Sequence, residues 1–127
     1  MQSPQSCSVE PHAGKRVLVV EDNRDIRELL VELLEGEGYR VSSAEHGEEA
    51  LSKAKLEPPD VILLDLMMPV MNGWQFRERQ RVEPSIAGVP VIVLSAYVND
   101  LEVAAYLPKP FRVEDVLLAV HQCSNEP

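Results

Sequence analysis

Five polar residues that could bind a metal ion and a phosphoryl group stand at the ends of short apolar runs in this chain. They are Glu21, Asp22, Asp65, Ser95 and Lys109. Together they offer carboxylates, a hydroxyl and an ammonium group. Carboxylate oxygens suit a hard divalent cation, and a hydroxyl and an ammonium group suit phosphoryl oxygens. If the fold brings these residues together, the chain has a site for phosphoryl chemistry.

The elements that must position these residues are predicted to be parallel strands. Val61–Leu64 and Val89–Leu94 are apolar throughout, as expected of central parallel strands covered on both faces. Segments with helical periodicity alternate with the strands, which predicts a doubly wound α/β fold with helices on both faces of the sheet. In such a sheet the carboxyl ends of the strands share one edge, where ligands bind. The polar residues are therefore expected in one pocket.

The first helix is predicted from an apolar face that recurs with a helical period. Its members are Ile26, Leu29, Leu30, Leu33 and Leu34. Asn23 is expected to cap its first turn, and Gly36 and Gly38 are expected to end it. A later helix is predicted over Gly73–Arg81, where Phe76 is expected to pack on the helix surface.

The composition narrows the function classes. The chain has 127 residues, enough for one domain, and 12 basic against 21 acidic side chains give a net charge of -9. That charge repels nucleic-acid phosphates and anionic lipids, so we expect no nucleic-acid and no membrane partner. No apolar stretch approaches the about 20 residues of a membrane span, which favours a cytoplasmic protein. We predict a flexible leader at 1–14, one domain at 15–123 and a tail at 124–127.

With these residues placed, the chain resembles the receiver domain of two-component response regulators. The resemblance rests on the segments Val-Leu-Val-Val-Glu21-Asp22, Asp65-Leu-Met-Met-Pro69-Val-Met-Asn-Gly73, Val-Leu-Ser95-Ala and Tyr106-Leu-Pro-Lys109-Pro110-Phe111. Any one segment would be weak evidence, because acidic residues at strand ends are often only helix caps. Together and in order they are specific. The resemblance implies a flavodoxin-like receiver fold with a five-stranded parallel sheet of order 2-1-3-4-5.

The resemblance also implies a phosphoacceptor and a metal site. Asp65 would take a phosphoryl group from a phosphohistidine of a histidine kinase or a phosphotransfer protein. Glu21, Asp22, Asp65 and the backbone carbonyl of Met67 would hold Mg²⁺. The cation would neutralise charge on the phosphoryl group.

The other implied roles are a phosphoryl clamp and a switch. Lys109 would pair with one phosphoryl oxygen, and Ser95 would hydrogen-bond another after phosphorylation. Tyr106 matches the switch aromatic of the family, which moves inward as Ser95 engages the phosphoryl group. The peptide between Lys109 and Pro110 is expected to be cis, as in the family.

The chain departs from the family between the fourth and fifth strands. Only residues 96–108 separate Ser95 from Lys109. Receivers fit a full helix, a turn and a strand into this interval, so we predict a truncated fourth helix or an irregular loop over Asn99–Ala105. We expect phosphorylation to order residues 97–106, or this segment to mediate a homodimer.

The function expected from these features is that of a stand-alone receiver domain. It would signal by contact with an unknown downstream protein and would not be an enzyme beyond its own phosphotransfer and dephosphorylation. The main alternative is a pseudo-receiver, an interaction module that works without phosphorylation. An aspartate-nucleophile phosphatase of the dehalogenase type is disfavoured, because such enzymes need a second Asp two positions after the nucleophile and Met67 stands there.

Overall fold

Strands and helices alternate along most of the described chain, as the apolar periodicity predicts. The computed structural model describes residues 14–65, 71–95 and 104–124. In these ranges the elements are β1 (Arg16–Val20), α1 (Arg24–Gly36), β2 (Arg40–Ala44), α2 (Gly47–Leu56), β3 (Val61–Asp65), α3 (Gly73–Arg81), β4 (Val91–Ser95), β5 (Ala105–Pro108) and α4 (Val113–Ser124). No helix within the described ranges is both long and apolar enough to cross a membrane.

The strands form one parallel sheet in the order β2-β1-β3-β4-β5, which confirms the predicted topology. One face packs against α1 and α4 in a buried cluster that includes Leu30, Leu34, Val116 and Val120. The other face packs against α2 and α3. Since helices cover both faces, β1, β3 and β4 are buried almost throughout. The carboxyl ends of all five strands therefore lie along one edge of the sheet.

Two helix predictions need correction. Phe76 of α3 does not pack on the helix surface, because its side chain is fully buried in the cluster between the sheet and α2 and α3. Leu29 of α1 is not part of the buried face, since 45% of it is exposed. The helical period centres that face on Leu30 and Leu34, and Leu29 lies beyond its rim.

The fourth strand is shorter at its start than predicted. Val89 belongs to a turn rather than to β4, and its amide donates to the carbonyl of Ile86 at 3.1 Å. The residue after it is a proline, which has no N–H to give to a sheet ladder. The strand begins at Val91 and continues to Ser95.

Helix caps shape the turns at the carboxyl edge. The predicted cap is confirmed, since the side chain of Asn23 accepts a hydrogen bond from the amide of Ile26 at 3.0 Å. His46, for which no role is predicted, caps α2 in the same way by accepting from the amide of Glu49 at 3.3 Å. These bonds satisfy amides that a helix start leaves open, and they fix where each strand end turns into the next helix.

Candidate functional site

Four of the predicted site residues meet at the carboxyl edge of the sheet. Asp65 and Ser95 are the last residues of β3 and β4, and Glu21 directly follows β1. Lys109 directly follows β5. Glu21, Asp65 and Ser95 are buried with the strands that carry them. The topology therefore brings together residues that are far apart in sequence, as expected.

The carboxylates form one cluster. Oxygen atoms of Glu21, Asp22 and Asp65 lie within 4.8 Å of one another, close enough to ligate a single ion. Glu21 and Asp65 are buried and Asp22 is exposed, so the cluster opens to solvent on the Asp22 side. Hard oxygen donors in this number suit Mg²⁺ or Ca²⁺ rather than a metal that prefers thiolates.

Lys109 binds the two buried carboxylates at once. Its Nζ lies 3.0 Å from Oε1 of Glu21 and 3.4 Å from Oδ1 of Asp65. Its backbone amide donates to the carbonyl of Ser95 at 2.9 Å, which ties the end of β5 to the end of β4. The peptide between Lys109 and Pro110 is cis, as the resemblance implies.

The charge state of Lys109 follows from these contacts. Burial by itself lowers the pKa of a lysine, because the charged form loses solvation. Hydrogen bonding and attraction to Glu21, with further attraction to Asp65, outweigh that effect, and the pKa of Lys109 is raised above its ordinary value. Lys109 is thus a cation at neutral pH, and it offsets repulsion between the two carboxylates.

Ser95 and Tyr106, the predicted switch residues, are neighbours. The carbonyl of Ser95 accepts a long hydrogen bond from the hydroxyl of Tyr106, at 3.4 Å. Tyr106 is half-buried and packs against the cluster on the α2 and α3 face of the sheet. The aromatic ring therefore lies beside the end of β4, where a change at Ser95 could reach it.

One residue of the site has no predicted role. Arg27 of α1 donates from Nη1 to the carbonyl of Glu21 at 3.0 Å and to the carbonyl of Asp22 at 3.4 Å. Side chains on a helix tilt toward its N-terminus, so a residue one turn after the Asn23 cap can reach back to the preceding turn. That spacing is the signal from which the contact could have been found.

Two predictions fall outside the described residues. Met67, whose carbonyl is a predicted metal ligand, lies in the undescribed interval 66–70. The predicted fourth-helix segment falls largely in the undescribed interval 96–103. Both remain predictions from the sequence.

Comparisons with known proteins show which family and which fold the chain resembles. The family described as Response regulator receiver domain matches residues 17–121. A response regulator receiver protein of Anaeromyxobacter sp. (strain Fw109-5) is 40% identical in an alignment of 112 residues that covers 81% of this chain and 46% of that protein. This chain spans about half the length of the curated relatives it matches.

Solved structures share the fold across most of the chain. The Vibrio cholerae chemotaxis protein CheY4 is 31% identical, with a TM-score of 0.81 over 87% of this chain and 99% of that chain. The receiver domain of the sensor histidine kinase PA1611 from Pseudomonas aeruginosa PAO1 is 28% identical, with a TM-score of 0.82 over 90% of this chain and 100% of that one. The latter structure has a magnesium ion coordinated in its active site cleft.

Proposed function

Because this chain belongs to the response regulator receiver domain family, we propose that it is a signalling domain that accepts a phosphoryl group on Asp65. The donor is a phosphohistidine of a histidine kinase or a phosphotransfer protein. The observation that carries the proposal is the meeting of Asp65, Glu21 and Lys109 from three strand ends, with Lys109 within 3.4 Å of both carboxylates. Helix caps alone would not bring a lysine from β5 onto two buried acids.

In the proposed transfer, a carboxylate oxygen of Asp65 attacks the phosphorus atom of the phosphohistidine. The new O–P bond forms as the P–N bond breaks, and the imidazole nitrogen keeps the electron pair of that bond. Asp65 lies at the end of a strand that is buried along its whole length, so its position changes little during attack. That fixed position supplies the orientation on which phosphoryl transfer depends.

The acidic cluster fits Mg²⁺, since it offers three carboxylates with oxygens in reach of one ion. Glu21, Asp22 and Asp65 would hold the ion, with the carbonyl of Met67 as the further predicted ligand. When bound, Mg²⁺ supplies positive charge against the phosphoryl oxygens. The magnesium ion in the PA1611 receiver domain supports this assignment.

Lys109 and Ser95 are proposed to bind the phosphoryl group once it is on Asp65. The ammonium group of Lys109 already faces Asp65, and a small movement would bring it onto a phosphoryl oxygen. The hydroxyl of Ser95 would donate to another oxygen. Tyr106, which contacts the carbonyl of Ser95, would then move inward and alter the surface of β5. A downstream protein in the cytoplasm would recognise that surface, and the domain responsible would span residues 15–123.

Intact-mass measurement after incubation with acetyl phosphate and Mg²⁺ tests the acceptor. We expect one phosphoryl adduct on the unaltered chain and none on Asp65→Asn, because the amide cannot act as the nucleophile. Asp25→Asn is the matched control, since Asp25 is an exposed aspartate in the first turn of α1. This control should form the adduct as the unaltered chain does.

The result also separates the proposal from the pseudo-receiver. A chain that forms no adduct with acetyl phosphate, and binds no beryllofluoride, would be an interaction module that works without phosphorylation. An adduct that persists in Asp65→Asn would place the acceptor elsewhere. Continuous release of phosphate from added phosphomonoesters would instead indicate a phosphatase.

A further inference from the structure

We propose that Arg27 is a positioning residue that sets the affinity of the acidic cluster for Mg²⁺. This inference rests on the proposed function, because it concerns the same metal site. Arg27 contacts the main chain of both Glu21 and Asp22, with Nη1 3.0 Å and 3.4 Å from their carbonyl oxygens. Within the described ranges, Arg27 is the hydrogen-bond donor found for each of these carbonyls.

The Arg27 side chain is held in place by its surroundings. Only 14% of the Arg27 side chain is exposed, so most of its length is held by the protein. Its Nη2 lies 3.8 Å from Oε2 of Glu45, which follows β2. The guanidinium group thereby joins the turn after β1 to the turn after β2 at the carboxyl edge. The planar guanidinium group has donors on separate nitrogen atoms, so it can contact the two carbonyls and Glu45 at once. An ammonium group has a single nitrogen and cannot make all three contacts in the same geometry.

The rest of the turn leaves Asp22 weakly held. Glu21 is fixed through its amide, which donates to the carbonyl of Ala44 at 3.1 Å, and through its side chain, which binds Lys109 and accepts from the amide of Asn23. Asp22 is exposed, and within the described ranges its carbonyl accepts a hydrogen bond from Arg27. Arg27 therefore joins the main chain of Asp22, through a long hydrogen bond of 3.4 Å, to the main chain of Glu21, which it contacts at 3.0 Å, and so helps to keep the carboxylate of Asp22 beside the other two.

Charge and position make opposite predictions for this residue. If Arg27 acted only as a nearby positive charge, removing it would strengthen the attraction of the acidic cluster for a cation. If it positions the turn, removing it would loosen Asp22 and weaken Mg²⁺ binding. The sign of the change in affinity distinguishes the two effects.

The test is an NMR titration of the ¹⁵N-labelled full chain with MgCl₂ at constant ionic strength. For Arg27→Ala we expect a dissociation constant raised about tenfold, as is usual when a group that orients a metal ligand is lost. Arg24→Ala is the matched control, because Arg24 lies in the same first turn, is 78% exposed and contacts Glu28 on its own helix. It removes the same charge and should leave the affinity unchanged or slightly higher.

Two further variants keep the test decisive if Arg27→Ala is poorly folded. Arg27→Lys retains the charge and a single donor nitrogen, and Arg27→Gln retains a donor nitrogen without the charge. We expect both to bind Mg²⁺ more weakly than the unaltered chain and more tightly than any folded Arg27→Ala. Melting without Mg²⁺ gives the purely structural effect of each variant for comparison.

Three outcomes would overturn the inference. If the Arg27 variants bind Mg²⁺ as tightly as the unaltered chain or more tightly, Arg27 does not position the metal site and acts on it only through its charge. A lowered melting temperature with an unchanged dissociation constant would make its role structural. An unaltered chain that does not respond to Mg²⁺ would remove the proposed metal site itself, and this inference with it.

Discussion

The central strands and the edge strand β5 hold their functional residues by different means. Strands β3 and β4 are buried at every position, and Asp65 and Ser95 are buried as their last residues. Strand β5 is half-buried or exposed throughout, and 23% of the Lys109 side chain that follows it is exposed. Lys109 nevertheless lies close to Glu21, with its Nζ 3.0 Å from Oε1 of that residue.

This difference divides the site into a packed half and a contact-held half. The positions of the acids follow from packing on both faces of the sheet, so they should persist as long as the domain is folded. The position of Lys109 instead depends on a few hydrogen bonds and ion pairs, because β5, which precedes it, is less buried than the central strands. Segments with few buried contacts move at lower cost than core strands do. The contact-held half is therefore the part that we expect to respond if Asp65 is phosphorylated as proposed.

The largest expected effect is a difference in stability between two leucine truncations on the same face of the sheet. Leu63 of β3 is fully buried and Leu107 of β5 is half-buried, and both belong to the α1 and α4 face. We expect Leu63→Ala to lower the free energy of unfolding by about 3 kcal/mol, because it leaves a cavity between packed layers. Leu107→Ala should cost about 1 kcal/mol, since less apolar area is lost. Urea unfolding measures both.

Equal losses for the two leucine variants would contradict the division. Such a result would mean that β5 contributes as much to stability as the core strands do, although its residues are more exposed. A large loss at Leu63 with little at Leu107 would instead support the division into a packed half and a contact-held half.

The next effect concerns the contact-held half itself. Lys109→Met removes the cation that faces Glu21 and Asp65 and leaves two buried carboxylates without it. We expect a loss of about 1 to 2 kcal/mol in unfolding free energy without Mg²⁺, less than for a fully buried pair because Lys109 is partly solvated. If the proposed metal site is correct, added Mg²⁺ should reduce the loss by supplying positive charge.

Lys55→Met is the control for the Lys109 variant. Lys55 is 49% exposed and lies 3.8 Å from Glu83, so its loss should change stability by less than about 0.5 kcal/mol. If Lys109→Met were as stable as this control without Mg²⁺, the acids would need no cation, and the ion pairs of Lys109 would not hold the end of β5.

The sheet could be predicted because β3 and β4 are apolar at every position before their last residue, as expected of strands covered on both faces. The errors came where burial depends on the tertiary fold. Leu29 has the same spacing as its buried neighbours yet lies beyond the rim of the buried face, and Phe76 is buried between the sheet and α2 and α3. The predicted start of β4 at Val89 is wrong because the next residue, Pro90, is apolar but cannot donate to a sheet ladder, and the strand begins only at Val91.

The candidate site was predictable to the extent that topology alone determines it. Parallel strands place Glu21, Asp65 and Lys109 at one edge whatever the details of packing. The ion pairs of Lys109 with both acids, and the contact of Arg27 with two carbonyls, depend on the shape of turns. Such contacts leave no periodic pattern in the sequence. The spacing of Arg27 from the Asn23 cap indicates that its side chain can reach the turn, but which carbonyls it contacts depends on the shape of that turn.

The smallest expected effect tests how loosely Tyr106 is held. Its hydroxyl donates to the carbonyl of Ser95 at 3.4 Å, near the limit of a hydrogen bond, so Tyr106→Phe should lower the unfolding free energy by less than about 0.5 kcal/mol. Tyr106→Ala also removes the ring that packs on the α2 and α3 face, and should cost about 2 kcal/mol. Urea unfolding of the two variants separates hydroxyl from ring. A loss above about 1 kcal/mol for Tyr106→Phe would show that the hydroxyl fixes the end of β4. In that case Tyr106, which is proposed to move, would instead belong to the packed half of the site.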